Sequence, residues 1–301
     1  MTRRRVVIDT DPGLDDAVAI LHALNCGRFD VLGLTTVAGN IGLDIVTRNA
    51  GRLLALMARS DIPVLAGAAE PLVRKGIDEA GIHGGDGLGG IVLPEPAAAP
   101  GEDAVAWLAD LLAREEPGTV DILALGPLTN IATLVSLHSP AADRIGRIIA
   151  MGGAIEEKGN VGPRSEFNLA CDPEAADIVL RAGLDLTLVP LDVTRRVRAG
   201  RGFVAGLRAS GGPAGTTAAG LIEAYFHNAA GRESRPLHDP CVMLLALAPE
   251  IFRIETRDLA VNLVNGPDAG ALVGDGGTIA VNVAMGVDAD AALALLAEGL
   301  L

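Results

Sequence analysis

Nearly continuous runs of Val, Ile and Leu alternate with stretches of helical spacing, and this alternation restricts the fold more than any other feature of the chain. Residues 5–9, 31–37, 62–66, 120–125, 147–151 and 184–191 read as strands. Residues 15–27, 43–60, 104–114, 128–137 and 173–182 read as helices. A strand that is apolar at every position, rather than at every second one, is covered on both faces; such strands joined by helices form a parallel sheet. From residue 200 to 250 the spacing predicts mostly helix. Strands at 254–264 and 278–283 and a last helix at 288–300 follow. No repeat period, low-complexity linker or composition shift marks a boundary. Residues 1–301 are therefore expected to form one α/β domain with a doubly wound, mostly parallel central sheet flanked by helices. Ligands of such sheets bind beyond the carboxyl ends of the strands, so the strand-to-helix turns are where chemistry is expected.

Charge narrows the partners. The chain has 24 Lys plus Arg against 38 Asp plus Glu, a formal net charge of -14. That balance argues against a nucleic-acid polymer, whose phosphates need a basic face. It suits a neutral or cationic ligand, or a bound metal ion. Aromatic residues are 2% of the chain, with one Trp and one Tyr, too few for a base-stacking platform. Cys26, Cys171 and Cys241 lie far apart with no C-x-x-C pair, which predicts buried thiols rather than zinc ligands or disulfides. The N-terminus reaches Asp9 after only Val6-Val7-Ile8, short of the ~7–15 apolar residues of a secretory signal. No run approaches the ~20 apolar residues of a membrane span. A cytoplasmic setting with no membrane partner is the expectation.

The first strand runs into Asp9-Thr10-Asp11-Pro12-Gly13-Leu14-Asp15-Asp16, four carboxylates within eight positions. Acidic residues favour helix N-termini by ~0.3–1 kcal/mol each, which accounts in part for Asp15 and Asp16. It does not account for Asp9 and Asp11 at the mouth of an apolar strand. Two like charges ~4 Å apart repel by about 4 kcal/mol at an effective dielectric of ~20. A cluster of four requires protonation or a cation among them. Oxygen donors with no adjacent Cys or His point to a hard ion, Ca²⁺ or Mg²⁺.

Further polar residues mark later turns. Val37-Ala38-Gly39-Asn40 closes the second strand, and Gly126-Pro127-Leu128-Thr129-Asn130 follows the strand at 120–125. Gly159-Asn160-Val161, Glu166-Phe167-Asn168 and Asp172-Pro173-Glu174 follow the strand at 147–151, and His238-Asp239-Pro240 opens a late helix. Each alone reads as a turn residue or a helix cap. Together they fall on one expected sheet edge.

The acidic block resembles the N-terminal signature of the calcium-dependent nucleoside hydrolases, the inosine-uridine preferring type. The blocks around Asn40, Leu128, Glu166 and His238 resemble further blocks of that family in the same order, so the resemblance covers residues 9 to about 240. It implies a nucleoside-hydrolase-like fold with a Rossmann-like core, and hydrolysis of the N-glycosidic bond of ribonucleosides to base and ribose. Carried over by position, Asp11, Asp16, Asp239 and the backbone carbonyl of Leu125 would ligate Ca²⁺. Asp15, Asn40, Asn160, Glu166 and Asn168 would hold the ribose, with Asp9 in support. Asp11 would also be the base that takes a proton from a Ca²⁺-held water, since Ca²⁺ acidifies water much less than Zn²⁺. His238 is the expected acid for the leaving base, because His titrates near neutral pH.

At the base end, His83 lies in the Gly-rich stretch Ile82-His83-Gly84-Gly85-Asp86-Gly87-Leu88-Gly89-Gly90, where the resemblance implies a lid and a contact to the base. Tyr225 matches an aromatic position that faces the leaving group, and His227 is a second contact or proton donor there. Ala229 stands where some members carry another ring. The resemblance also implies a homodimer or homotetramer acting on a small-molecule nucleoside. Two other readings compete. One is a non-catalytic nucleoside- or ribose-binding protein with a structural Ca²⁺. The other is a Mg²⁺-dependent haloacid-dehalogenase-like phosphatase, which also places Asp-x-Asp after a first strand but lacks Pro12-Gly13-Leu14-Asp15-Asp16.

Overall fold

The computed structural model describes residues 3–227, 234–274 and 276–301, except the side chain of His227. Its strands are β1 (Arg4–Thr10), β2 (Phe29–Thr36), β3 (Val64–Ala66), β4 (Asp121–Ala124), β5 (Ile148–Met151), β6 (Leu186–Val189), β7 (Arg198–Gly200), β8 (Ser234–Pro236), β9 (Phe252–Val261), β10 (Leu272–Val273) and β11 (Ile279–Val287). Nine of them form one sheet in the order β10-β9-β11-β6-β5-β4-β1-β2-β3. Pairing is parallel from β3 through β11 and antiparallel from β11 to β9 and β10. The chain is thus a single α/β domain with a large, mostly parallel sheet.

β1 shows why continuous apolar runs produce this arrangement. Val6 and Ile8 enter one core with Val18 and Leu21 of the helix Leu14–Asn25. Val7 points the other way, into a core with Leu108 and Ile131 of the helices Ala104–Arg114 and Thr129–Leu137. Alternate side chains leave opposite faces of a strand, so both faces must be apolar when both are covered. β9 differs: Arg253, Glu255, Arg257 and Asp258 lie in its middle, where every position is exposed or half-buried, between buried ends.

β1 lies between β2 and β4, so the connections leaving the carboxyl ends of β1 and β4 diverge and open a crevice there. Asp9, Asp11 and Leu125 sit at its lip.

The region 200–250 is not purely helical. Besides the helices Arg201–Ala209, Pro213–His227 and Pro240–Leu247, it holds β8, which pairs with β7 in an antiparallel ribbon. Three residues ending in Pro236 are too few to show a period of two. The helix expected at 43–60 ends at Leu56, and Ala58 turns to a left-handed φ of 52°. The strand expected at 278–283 runs on to Val287, and that at 254–264 begins at Phe252 and stops at Val261. Cys171 and Cys241 are buried thiols, whereas Cys26 is only half-buried. No helix among the described residues is long and apolar enough to cross a membrane.

Candidate active site

The acidic block folds into the crevice as a hydrogen-bonded nest of buried carboxylates. Asp9, at the end of β1, accepts from Thr35 Oγ1 at 2.6 Å and Asn130 Nδ2 at 2.8 Å through Oδ2. Burial raises its pKa to about 6. Asp16, in the first turn of the helix Leu14–Asn25, accepts from Thr10 Oγ1 at 2.7 Å, Gly13 N–H at 3.1 Å and Asn40 Nδ2 at 2.9 Å. Asp11 accepts from the Asn40 N–H at 2.7 Å through Oδ2, while its Oδ1 is buried with no partner among the described residues. A Cβ at Gly39 or Gly126 would collide with the Asp11 carboxylate, so the two turns can close on it only as glycines.

Asp15, Asp16 and Asp239 bring carboxylate oxygens within 4.8 Å of one another, a group able to hold a metal ion. Burial first, and then the charge of neighbouring aspartates, pushes Asp11 and Asp239 well above the usual carboxylate range. These acids are short of positive charge. The structure thus draws Asp15, expected at the ribose, into the carboxylate group. The Leu125 carbonyl, expected as a metal ligand, accepts from Asn168 Nδ2 at 2.7 Å.

A cleft of about 200 Å³ opens beside this group. It is lined by Asp15, Asn40, Leu125, Asn160, Glu166, Asn168 and Asp239, and also by His83, Tyr225 and His238. Asp11 and Asp16 do not line it; Asn40, which bonds both, does. The His227 side chain and Ala229 lie outside the described residues. Glu166 caps the short helix Phe167–Cys171, accepting from the N–H groups of Asn168, Leu169 and Gly153 at 3.0–3.2 Å. Burial nevertheless raises its pKa to about 7. Asn160 Oδ1 accepts from the Phe167 N–H at 2.9 Å.

Also in the lining, His83 Nδ1 accepts from the Leu14 N–H at 3.0 Å, which leaves its proton on Nε2. Its ring stacks 6.3 Å from Tyr225. His238 pairs through Nδ1 with Thr194 Oγ1 at 2.7 Å and donates its backbone N–H to Asp15 Oδ2 at 3.3 Å. Burial, helped by the charges of Arg195 and Arg235, pulls the His238 pKa down to about 3. Burial thus moves this histidine below the near-neutral range expected from the sequence and favours its neutral ring.

Several lining residues have no motif in the sequence. Glu79, at the N-terminus of the short helix Ala80–His83, is raised to about 7 by burial and by the charges of Glu166 and Asp15. Arg195 and Arg235 also line the cleft. The one available hint was the nearness of Arg235 to the His238-Asp239 block.

The description "Inosine-uridine preferring nucleoside hydrolase" matches residues 6–294. A pyrimidine-specific ribonucleoside hydrolase, RihA, of Salmonella arizonae is 38% identical over 304 residues, 98% of this chain and 97% of its own. A plant nucleoside hydrolase superposes with a TM-score of 0.91 at 33% identity, covering 99% of each chain. A purine-preferring ribonucleoside hydrolase from Gardnerella vaginalis does so with 0.91 at 28%, covering 98% of each. One of these relatives is named for pyrimidines and another for purines, so likeness alone does not choose the base. The match over nearly the whole chain establishes that this protein belongs to the inosine-uridine preferring nucleoside hydrolase family.

Proposed function

We propose that the cleft beside Asp11 is where this enzyme cleaves ribonucleosides. As a member of its family the chain is a ribonucleoside hydrolase, splitting the N-glycosidic bond into free base and ribose. The observation that carries the assignment is the Asp11 carboxylate. One of its oxygens is buried and unpartnered at the crevice between β1 and β4, in a group of acids short of positive charge.

The donors fit a hard divalent cation, with all-oxygen chemistry and buried negative charge to neutralise. Asp11, Asp16, Asp239 and the Leu125 carbonyl would hold Ca²⁺, with Asp15 close enough to join them. When bound, such an ion gathers sugar hydroxyls and water as a template and offsets the repulsion among the acids.

The chain's own groups then divide the work. Asp11 Oδ1 takes a proton from the water that attacks C1′, and burial suits it to that task by raising its proton affinity. Asp15, Asn40, Glu166, Asn168 and Asn160 hold the ribose hydroxyls. They favour the electron-poor sugar that forms as the base leaves. His83 and Tyr225 face the base. His238, neutral and fixed by Thr194, acts there as a hydrogen-bond donor. The whole of residues 1–301 serves as one catalytic domain, working in the cytoplasm as a homodimer or homotetramer.

The test is ribose release from inosine, uridine, cytidine and adenosine, with and without a strong calcium chelator. Release that the chelator abolishes and Ca²⁺ restores is the expected result. Undiminished release under chelation would overturn the metal assignment.

A further inference from the structure

Arg235 is 9% exposed, and its Nε is buried without a hydrogen-bond partner among the described residues. Its guanidinium lies 4.0 Å from the centre of the Tyr225 ring, and no carboxylate among the described residues pairs with it. The β7–β8 ribbon fixes it there, with Arg235 opposite Ala199. It lines the cleft with Tyr225, His83 and His238. Burying a cation with unused donors is costly unless a ligand completes it. The stacking on Tyr225 also leaves a planar fork beside a planar ring, the geometry that reads adjacent acceptors on a flat base.

The cleft carries both signs of charge. Asp15 and Asp239 line it together with the Arg235 guanidinium, which lies over the Tyr225 ring. Breaking the glycosidic bond sends its electron pair to the base nitrogen and leaves positive charge on the ribosyl carbon. The two signs of charge in the lining match those two charges.

On the reading that this cleft holds the nucleoside, we propose that Arg235 receives the departing base. Its guanidinium donates to the oxo and ring-nitrogen acceptors of the base and holds the negative charge that leaves with it. The water oxygen forms the new bond to C1′, its proton passes to Asp11, and the base anion takes a proton from solvent on release. Hypoxanthine offers O6 and N7 as adjacent acceptors, whereas adenine turns an amino donor toward the cation. Arg235 therefore selects oxo bases over amino bases.

The test compares Arg235→Met and Arg235→Lys with the wild type on inosine, adenosine and 4-nitrophenyl riboside, whose aryloxide leaves without such help. Arg235→Met is expected to lose about 10²-fold in kcat on inosine, the scale of one lost charge-stabilising donor. It keeps 4-nitrophenyl riboside turnover within ~10-fold of wild type, which also reports that it is folded. The inosine-to-adenosine ratio of kcat/KM falls by about 10-fold or more. Arg235→Lys restores part of the rate but not the ratio, because the charge remains and the fork is gone. Unchanged rates, or an equal loss on all three substrates, would overturn the proposal. Asp15→Asn, at a residue that lines the cleft, separates the two readings. If it leaves turnover intact, the cleft is not the site; if it abolishes turnover while Arg235→Met changes nothing, only the assignment to Arg235 fails.

Discussion

Asn40 donates its backbone N–H to Asp11 Oδ2 at 2.7 Å, and its side-chain amide reaches both the Asp11 carbonyl at 3.0 Å and Asp16 Oδ2 at 2.9 Å. One residue from the turn after β2 thus holds two carboxylates from the turn after β1. The contact is possible because Gly39 lets the backbone approach Asp11 without a Cβ in the way.

Gly39→Ala should displace the Asp11 carboxylate while leaving the sheet intact. A shift of about 1 Å at a reacting group costs ~10²-fold in rate. Steady-state kcat on inosine, read beside a circular dichroism melt, checks this; a variant with native kcat would show that Asp11 needs no such placement.

Added Ca²⁺ should stabilise the wild-type protein after chelation. At free metal ~100 times Kd the gain is about 2.7 kcal/mol, a few degrees in Tm for a chain of this size. Asp239→Ala, which removes one carboxylate from the group with Asp15 and Asp16, should abolish the shift. A Tm that rises equally in the variant would move the ion elsewhere.

Chelated protein should lose stability as pH climbs from 5 to 7.5. Burial raises Glu166 from 4.5 to about 7, and Glu79 likewise to about 7. A carboxyl whose folded pKa is raised holds its proton more tightly when folded. Its contribution is therefore fully present below the unfolded value of 4.5 and is lost progressively as pH rises from there through the folded value of about 7. For buried Glu166 the swing is on the order of 3 kcal/mol. Urea midpoints across that range should fall in the wild type and fall less steeply in Glu166→Gln, where Glu79 still titrates; a flat wild-type profile would contradict it.

Thr194→Val should free His238 Nδ1 from its 2.7 Å partner. Leaving a buried polar atom unpaired costs ~1–3 kcal/mol. The variant should fold with reduced stability and turn over inosine about 10-fold more slowly, as expected when a positioned hydrogen-bonding group is lost from a site. Native kcat in Thr194→Val would remove His238 orientation from the mechanism.

The strands and helices that build the sheet were legible because their signals are local. β1 announces itself through Val6, Val7 and Ile8, each apolar because each faces a covered side of the sheet. The carboxylate block was legible because its members are contiguous, and the later turns because they carry Gly-Asn and helix-cap chemistry at strand ends. β8 was not, since three residues carry no period, and Arg235 on it matched no motif.

What the sequence determined by itself was therefore the alternation of covered strands and helices, the crevice edge where polar turns gather, and the need for protonation or a cation among Asp9, Asp11, Asp15 and Asp16. Only the tertiary structure decided which oxygens meet. It brings Asp15 and Asp16 to Asp239, joins the His238 N–H to Asp15 across 223 positions of sequence, and sets Arg235 over Tyr225. It also sets the direction of the pKa shifts, downward for His238 and upward for Asp11. The physical reason is common to all of these: burial and charge act through space, on neighbours that the order of residues along the chain does not reveal.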